Sequence, residues 1–131
     1  MLEHPENLSY SARHLWVRME AAKGVATVGM TEDLVEQLGE IISIDMPMIG
    51  DELDMDTFCI HPHLATRLHH LRSPLTGRVT EINRDVQDNA ALIHLSPYVH
   101  WLYKMEYDDE EEADLLMSAE QYSRHLDQLL G

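Results

Sequence analysis

Two short segments with the pattern Pro-x-x-Gly, at residues 47–50 and 74–77, constrain the fold of this chain more than any other sequence feature. Proline presets the dihedral angle of a turn and glycine permits positive φ, so each segment can reverse the chain. Each is followed by a charged residue and then by strand-like residues, at 51–53 and 78–80. The pair predicts two related units that face each other in a quasi-two-fold β-sandwich.

The stretch between these turns, from Phe58 to Gly77, predicts a β-hairpin with its tip at residues 65–67. The hairpin is rich in one titratable residue type, because four of the nine histidines of the chain lie in it. They are His61, His63, His69 and His70. Histidine can bind metals, exchange protons or remain a solvated surface residue. The tip of this hairpin is therefore the candidate functional site.

The remaining pattern predicts a mainly β chain with few helices. Alternation of apolar and polar residues indicates strands at 15–19, 25–30, 42–46, 78–82 and 101–107. Thr31 can cap a short helix that ends before Gly39, and a helical turn is expected near 89–93. Ser118 and Gln121 form a capping-box pattern that opens a C-terminal helix over residues 118–130.

The length of 131 residues predicts one domain with one substantial core. We expect residues 1–13 to be loosely held except where Tyr10 packs. The acidic run at 108–112 predicts a solvated loop extending to residue 114, because like charges at this density resist burial.

The net charge of −15 disfavours nucleic-acid binding and favours a protein partner with a basic docking face. No apolar run approaches the roughly 20 residues that a membrane helix needs. The N-terminus shows no secretory signal pattern, and the single Cys59 cannot form an internal disulfide. These features predict a cytoplasmic protein that does not bind membranes.

Six segments resemble, in the same order, segments of one known family. His-Leu-Trp-Val at 14–17 is similar to its His-Glu-Trp-Val, and Ala-Thr-Val-Gly-Met-Thr at 26–31 to its Ala-Thr-Val-Gly-Ile-Thr. The other four matches are Glu-Gln-Leu-Gly-Glu-Ile at 36–41, Pro-Met-Ile-Gly-Asp-Glu-Leu at 47–53, Ser-Pro-Leu-Thr-Gly at 73–77 and Leu-Met-Ser-Ala-Glu-Gln-Tyr at 116–122. The family is the H protein of the glycine cleavage system, a lipoyl-carrying relative of the lipoyl and biotinyl domains.

This resemblance implies a lipoyl-domain-like barrel-sandwich hybrid of two antiparallel sheets, and a carrier protein without catalytic residues of its own. It also implies protein partners among the glycine-cleavage or lipoate-handling enzymes. In the family, a Glu-Ser-Val-Lys-Ala hairpin presents the lysine that becomes lipoylated. The resemblance places that lysine at Thr66, next to Arg67, and places the glutamate at His63.

The chain has only two lysines, Lys23 and Lys104, and neither lies in the predicted hairpin. A threonine hydroxyl cannot form the lipoyl amide, and Arg67 carries a permanently protonated guanidinium. The sequence therefore predicts that lipoate is absent and that the chain is a docking, scaffold or regulatory module. One alternative keeps the chain as an H protein that participates in glycine decarboxylation.

A second alternative is a metal-binding protein that uses the histidine-rich hairpin. Strand periodicity places His61 and His63 on one face, and a pairing of His63 with His70 would bring His69 or His70 within reach. Cys59 has the same parity and could add a softer ligand. Such a set would suit Zn²⁺, Ni²⁺ or Cu²⁺. Nucleophilic catalysis by Thr66 is disfavoured, because the sequence indicates neither an orienting group nor oxyanion donors.

Overall fold

A computed structural model describes residues 2–21 and 24–130. The strands are β1 (Ser9–Tyr10), β2 (Leu15–Met19), β3 (Val25–Met30), β4 (Ile41–Asp45), β5 (Glu52–Leu53), β6 (Phe58–Leu64), β7 (Leu71–Arg72), β8 (Gly77–Ile82) and β9 (Tyr103–Tyr107). The helices are α1 (Glu32–Leu38), α2 (Arg84–Asp88), α3 (Leu92–Leu95), α4 (Glu110–Asp114) and α5 (Ala119–Leu130). None of these helices is long and apolar enough to cross a membrane.

The strands form two antiparallel sheets. One sheet has the order β1-β2-β3-β9-β8-β5, and the other has the order β4-β6-β7. The main apolar core includes residues from both sheets, among them Val28, Ile60 and Met105, which are fully buried. The predicted mainly β fold with two antiparallel sheets, a short helix after Thr31 and a C-terminal helix is confirmed.

The two Pro-x-x-Gly turns lie beside each other, because β5 pairs with β8 and Glu52 lies opposite Arg78. Gly50 has a φ of +96°, and its amide donates a hydrogen bond to the Val79 carbonyl at 2.8 Å. A Cβ on Gly77 would lie only 2.0 Å from the Glu106 carbonyl oxygen. Glycine is therefore required for a different reason in each turn. At Gly50 the backbone is left-handed, and at Gly77 the neighbouring strand packs too closely for a side chain.

The helix caps form as the sequence predicts. The Thr31 hydroxyl accepts a hydrogen bond from the Leu34 amide at 3.2 Å, and Gly39 ends α1 with a φ of +76°. At α5, the Ser118 hydroxyl accepts from the Gln121 amide, and the Gln121 side chain accepts from the Ser118 amide. This reciprocal capping box satisfies two amides at the start of the helix.

The region around residues 83–95 contains more helix than the sequence predicts. The helical turn expected near 89–93 is observed as α3, and it is preceded by α2. Asn83 stands at the cap position of α2, but its side chain donates to the Trp101 carbonyl at 2.8 Å instead of capping the helix. Because this tertiary hydrogen bond competes with capping, the start of α2 could not be predicted from its capping residue alone.

The burial of Trp16 departs from the alternation that the sequence predicts for β2. In a half-buried strand, the alternation of residues 15–19 would bury Leu15 and Val17 and expose Trp16, yet Trp16 is fully buried. The N-terminal segment and α5 cover that face, and Trp16 donates from Nε1 to the Pro97 carbonyl at 3.1 Å. A second apolar cluster results, which we call the tyrosine cluster. Its buried members are Leu8, Tyr10, Trp16, Ala119 and Tyr122.

The N-terminal segment is held at several points beyond Tyr10. His4 contacts Ser123 at 2.7 Å and Asp33 at 2.6 Å, so it connects α5 with α1. The Tyr10 hydroxyl donates to the Pro5 carbonyl at 2.6 Å. The expectation of a loosely held N-terminus is therefore corrected, because side-chain hydrogen bonds over long sequence separation bind this segment to the helices.

The acidic run also differs from the expected loop, since Glu110–Asp114 forms α4. The Asp109 side chain caps this helix by accepting from the Glu111 amide at 2.8 Å. Glu112 accepts hydrogen bonds from both the amide and the hydroxyl of Thr76, at 2.9 and 2.8 Å. The acidic segment is therefore partly structural, and it attaches to the second Pro-x-x-Gly turn.

Candidate functional site

The predicted hairpin is formed by β6 and β7, and its tip lies at residues 64–67. The Leu64 amide donates to the Arg67 carbonyl at 2.9 Å, and an isolated bridge joins His63 to Leu68. Ala65, Thr66 and Arg67 are exposed at the end of this turn. The structure therefore places Thr66 at the solvent-facing end of the hairpin.

A β-bulge in the neighbouring strand β4 changes the surface around the tip. Ile41 lies opposite Leu64 and Ser43 lies opposite His63, so the register shifts at Ile42. Ile41 and Ile44 are buried, whereas Ile42 is 58% exposed. The extra residue breaks the expected alternation of 42–46 and places an apolar side chain outside, next to the tip.

The four histidines of the hairpin contact different partners and do not form one cluster. Nδ1 of His61 lies 2.8 Å from Nδ1 of His70, and Nε2 of His63 lies 2.7 Å from Oδ2 of Asp45 on β4. The expected proximity of His63 and His70 is corrected, because the hairpin register joins His63 to Leu68 and Ile60 to Leu71. His61 is consequently the histidine that meets His70.

His69 stands apart from the pair of His61 and His70. Its Nδ1 lies 3.4 Å from the Arg67 guanidinium, so a neutral ring can accept a hydrogen bond there. Burial, together with Arg67 and His70, lowers the pKa of His69. In the part of the chain that the structure describes, no group of three or more His, Cys, Asp or Glu side chains is arranged to hold a metal ion. Zinc, nickel or copper binding remains a prediction.

Cys59 does not share the surface with His61 and His63. The register of β6 and β7 shifts between Phe58 and Ile60, so Cys59 and Ile60 are both buried although they are adjacent. The Cys59 thiol lies 3.7 Å from the Tyr103 hydroxyl. Burial raises the pKa of this thiol to about 11, against the opposing hydrogen bond from Tyr103. The position and protonation of Cys59 are those of a core residue.

A cleft of about 450 Å³ lies beside the return segment of the hairpin. It is bounded by residues 69–72, by the turn at 12–14 and by side chains of α1 and α5. We call it the basic cleft, after the six arginine and histidine side chains that line it. They are Arg13, His14, His69, His70, Arg72 and His125. Sequence reasoning missed this cleft, because its residues come from four distant segments without a shared motif.

Two antiparallel sheets, a projecting hairpin and flanking helices define a lipoyl-domain-like β-sandwich. The sequence model of the family "Glycine cleavage H-protein" matches residues 8–129. The chain belongs to the glycine cleavage H-protein family. H proteins are carrier proteins that carry lipoate, interact with other glycine cleavage enzymes and have no catalytic activity of their own.

Individual relatives agree with this family. The glycine cleavage system H protein of Staphylococcus epidermidis is 36% identical over 121 residues, covering 91% of this chain and 94% of that protein. The H protein of Staphylococcus saprophyticus subsp. saprophyticus is 37% identical with the same coverage. A crystal structure of a glycine cleavage system H protein from Mycobacterium marinum superposes with a TM-score of 0.81 and 25% identity. That comparison covers 94% of this chain and 98% of the other.

The side chains at the tip do not fit an attached lipoyl group. The lipoyl amide requires a primary amine, and the exposed residue at the position indicated by the family resemblance is Thr66. Lys104 lies in β9, where its Nζ is 3.6 Å from Glu81 and 5.1 Å from the centre of the Trp101 ring. Lys23 lies outside the described residues. The tip is therefore an exposed hairpin turn, but its residue at the lysine position carries a hydroxyl group in place of an amine.

Proposed function

We propose that this member of the H-protein family works without a lipoyl arm, as a docking module for glycine-cleavage or lipoate-handling enzymes. The observation that carries the proposal is the exposed Thr66 at the end of an intact hairpin. A scaffold or regulatory role needs the surface of an H protein but not its covalent group. Participation in glycine decarboxylation through a lipoyl arm is the alternative that the first experiment below tests.

The surface around the tip supports binding to a protein. Ile42 lies in the bulge of β4 that faces Leu64 and His63, and Leu68 follows the tip; these apolar side chains are 58% and 42% exposed. Such side chains can form the centre of an interface, while charged residues form its rim. The net charge of −15 favours a partner with a basic docking face, because opposite potentials steer association.

Intact-mass measurement after expression in a lipoylating host tests the absence of the arm. A family member that carries the Glu-Ser-Val-Lys-Ala hairpin, expressed in the same cells, is the positive control. We expect the control to gain one lipoyl group and this chain to keep its unmodified mass. A lipoyl adduct mapped by fragmentation to Lys23 or Lys104 would refute the proposal.

Binding to the purified decarboxylating subunit of the glycine cleavage system, and to a lipoate ligase, tests the docking role. The variant Leu68→Asp introduces a charge beside the tip, whereas Leu95→Asp introduces the same charge at a leucine that is 78% exposed on α3. We expect Leu68→Asp to weaken binding about tenfold and Leu95→Asp less than about twofold. Absence of binding to both enzymes, or equal losses from the two variants, contradicts docking through the tip.

The contact between His61 and His70 favours metal binding as a second candidate function. Their Nδ1 atoms are 2.8 Å apart, at hydrogen-bond distance, so the two rings need to separate only slightly to admit a metal ion between them. Two protein ligands can hold Zn²⁺, Ni²⁺ or Cu²⁺ when water or a partner completes the coordination. We expect metal bound by the untagged protein to be lost in His61→Ala/His70→Ala and retained in His100→Ala. Equal metal content in all three proteins would exclude this pair as the site.

A further inference from the structure

The basic cleft has a charge opposite to that of the protein as a whole. The chain contains 24 Asp and Glu residues against nine Lys and Arg residues. Nevertheless, no Asp or Glu is among the described residues that line the cleft, and two arginines and four histidines are. A concave site lined by side chains of one sign concentrates ions of the opposite sign.

Four arginines have no carboxylate within 4.0 Å among the described residues, and both arginines of the cleft belong to this group, together with Arg67 and Arg84 outside it. Arg18, Arg78 and Arg124 each lie within 4.0 Å of a carboxylate. Arg13 and Arg72 have no such partner among residues 2–21 and 24–130. Because no ion pair holds them, both guanidinium groups of the cleft are available to a ligand.

Arg72 is positioned before any ligand binds. One guanidinium nitrogen donates to the Asp56 carbonyl at 3.2 Å, and the group lies 4.9 Å from the centre of the Phe58 ring. These contacts restrict the long side chain but leave further guanidinium N–H groups without a carboxylate partner. Preorganisation of this kind reduces the entropy lost when an anion binds.

The histidines add charge that depends on pH. Burial, together with His125 and Arg13, lowers the pKa of His14 against the opposing charge of Asp33 on α1. From α5, Tyr122 also faces His14, with its hydroxyl 2.8 Å from Nδ1. His69 faces Arg67 and His70, and its pKa is also lowered, mainly by burial. A bound anion would favour protonation of both rings, so it would bind more tightly at lower pH.

We propose that the basic cleft binds a small multivalent organic anion, with phosphate groups as the best chemical match. Arginine forks bind phosphate through two parallel hydrogen bonds, and protonated imidazoles add charge-assisted donors. The volume of about 450 Å³ is in the range of small-molecule sites. This proposal is independent of the docking role, since it requires neither Thr66 nor a protein partner.

Isothermal titration calorimetry with pyrophosphate, and separately with citrate, tests the cleft. Arg13→Gln/Arg72→Gln removes both arginines of the cleft, and Arg84→Gln is the matched control. Arg84 is exposed at the start of α2, outside the cleft, and likewise has no carboxylate within 4.0 Å in the described structure. We expect the double variant to weaken pyrophosphate binding at least about tenfold, and Arg84→Gln less than about twofold.

The two probes and the pH distinguish the outcomes. Binding of pyrophosphate that tightens from about pH 8 to about pH 6 supports phosphate recognition, and binding of citrate alone assigns a polycarboxylate to the same cleft. Because Arg72 packs on Phe58, the single variant Arg13→Gln, in an exposed turn, checks that a loss of binding does not result from unfolding. Failure of both anions to bind, or equal affinities in the double variant and in Arg84→Gln, would overturn the proposal.

Discussion

The tyrosine cluster and the hairpin tip show opposite relations between a side chain and the fold. In the cluster, the Tyr10 and Tyr122 rings stack with centroids 4.8 Å apart, and the Tyr122 hydroxyl contacts both His14 and Thr31. At the tip, Thr66 is exposed, and the nearby histidines contact each other, Asp45 or Arg67. The cluster therefore joins distant segments, whereas the tip makes mainly local contacts.

This difference explains how the chain can retain the fold while differing from the family at the tip. Every buried side-chain nitrogen or oxygen in the described residues has a hydrogen-bond partner, so a substitution in the cluster leaves a partner unsatisfied. A substitution at the tip leaves no buried group without a partner. The stability of the fold therefore places little constraint on residue 66, and binding or covalent chemistry can determine it.

The largest effect is expected where the tyrosine cluster meets the sheet. A Cβ on Gly29 would lie 2.3 Å from carbon atoms of the Trp16 ring, which is fully buried. We expect Gly29→Ala to lower the free energy of unfolding by about 3 kcal/mol, because it overpacks the interior. Chemical denaturation monitored by tryptophan fluorescence measures this change.

Gly50→Ala is the matched control for Gly29→Ala. Gly50 has a φ of +96°, but a Cβ there would meet no atom within 4 Å. Its cost is the strain of a left-handed alanine, about 1 kcal/mol. Equal destabilisation by the two substitutions would show that packing against Trp16 is not the dominant constraint.

An intermediate effect is expected from pH, through His14. Its lowered pKa means that the folded state binds a proton less readily than the unfolded state. The neutral form therefore stabilises the fold above the unfolded pKa of about 6.5, and this contribution is lost as the pH falls towards the folded pKa. His14→Asn should reduce the loss of stability between about pH 7.5 and about pH 5.5.

Asparagine is the suitable replacement, because His14 has a φ of +71° and asparagine tolerates this conformation. The measurement is the difference between the unfolding free energies of the two proteins at each pH. In this difference, the contribution of the carboxylates that both proteins share cancels. An unchanged pH dependence in His14→Asn would show that burial of this ring does not contribute.

The smallest effect on stability is expected from Thr66→Lys at the tip. The substitution changes an exposed residue in a turn, so the free energy of unfolding should change by less than about 0.5 kcal/mol. Thermal denaturation measures the change, with Ala65→Lys in the same turn as the control. A loss of more than about 1 kcal/mol in Thr66→Lys alone would show that the tip is constrained by the fold after all.

Local sequence signals predicted much of the fold but only part of the candidate site. The caps at Thr31 and Ser118 and the turn at Gly50 were predictable, because each depends on hydrogen bonds or dihedral angles within a few residues. The hairpin tip was predicted at the correct residues. Its histidine contacts were not, since a register shift in β6 decides which side chains meet.

The sequence by itself determined that the chain can build an H-protein fold and that a hydroxyl stands where the family resemblance places an amine. Family motifs and turn residues are continuous stretches of sequence, so they can be identified without knowledge of the tertiary structure. Only the tertiary structure decided that Trp16 and Cys59 are buried, that Ile42 is exposed and that the basic cleft exists. These features depend on β-bulges and on which distant segment covers each face, and packing over the whole chain sets both.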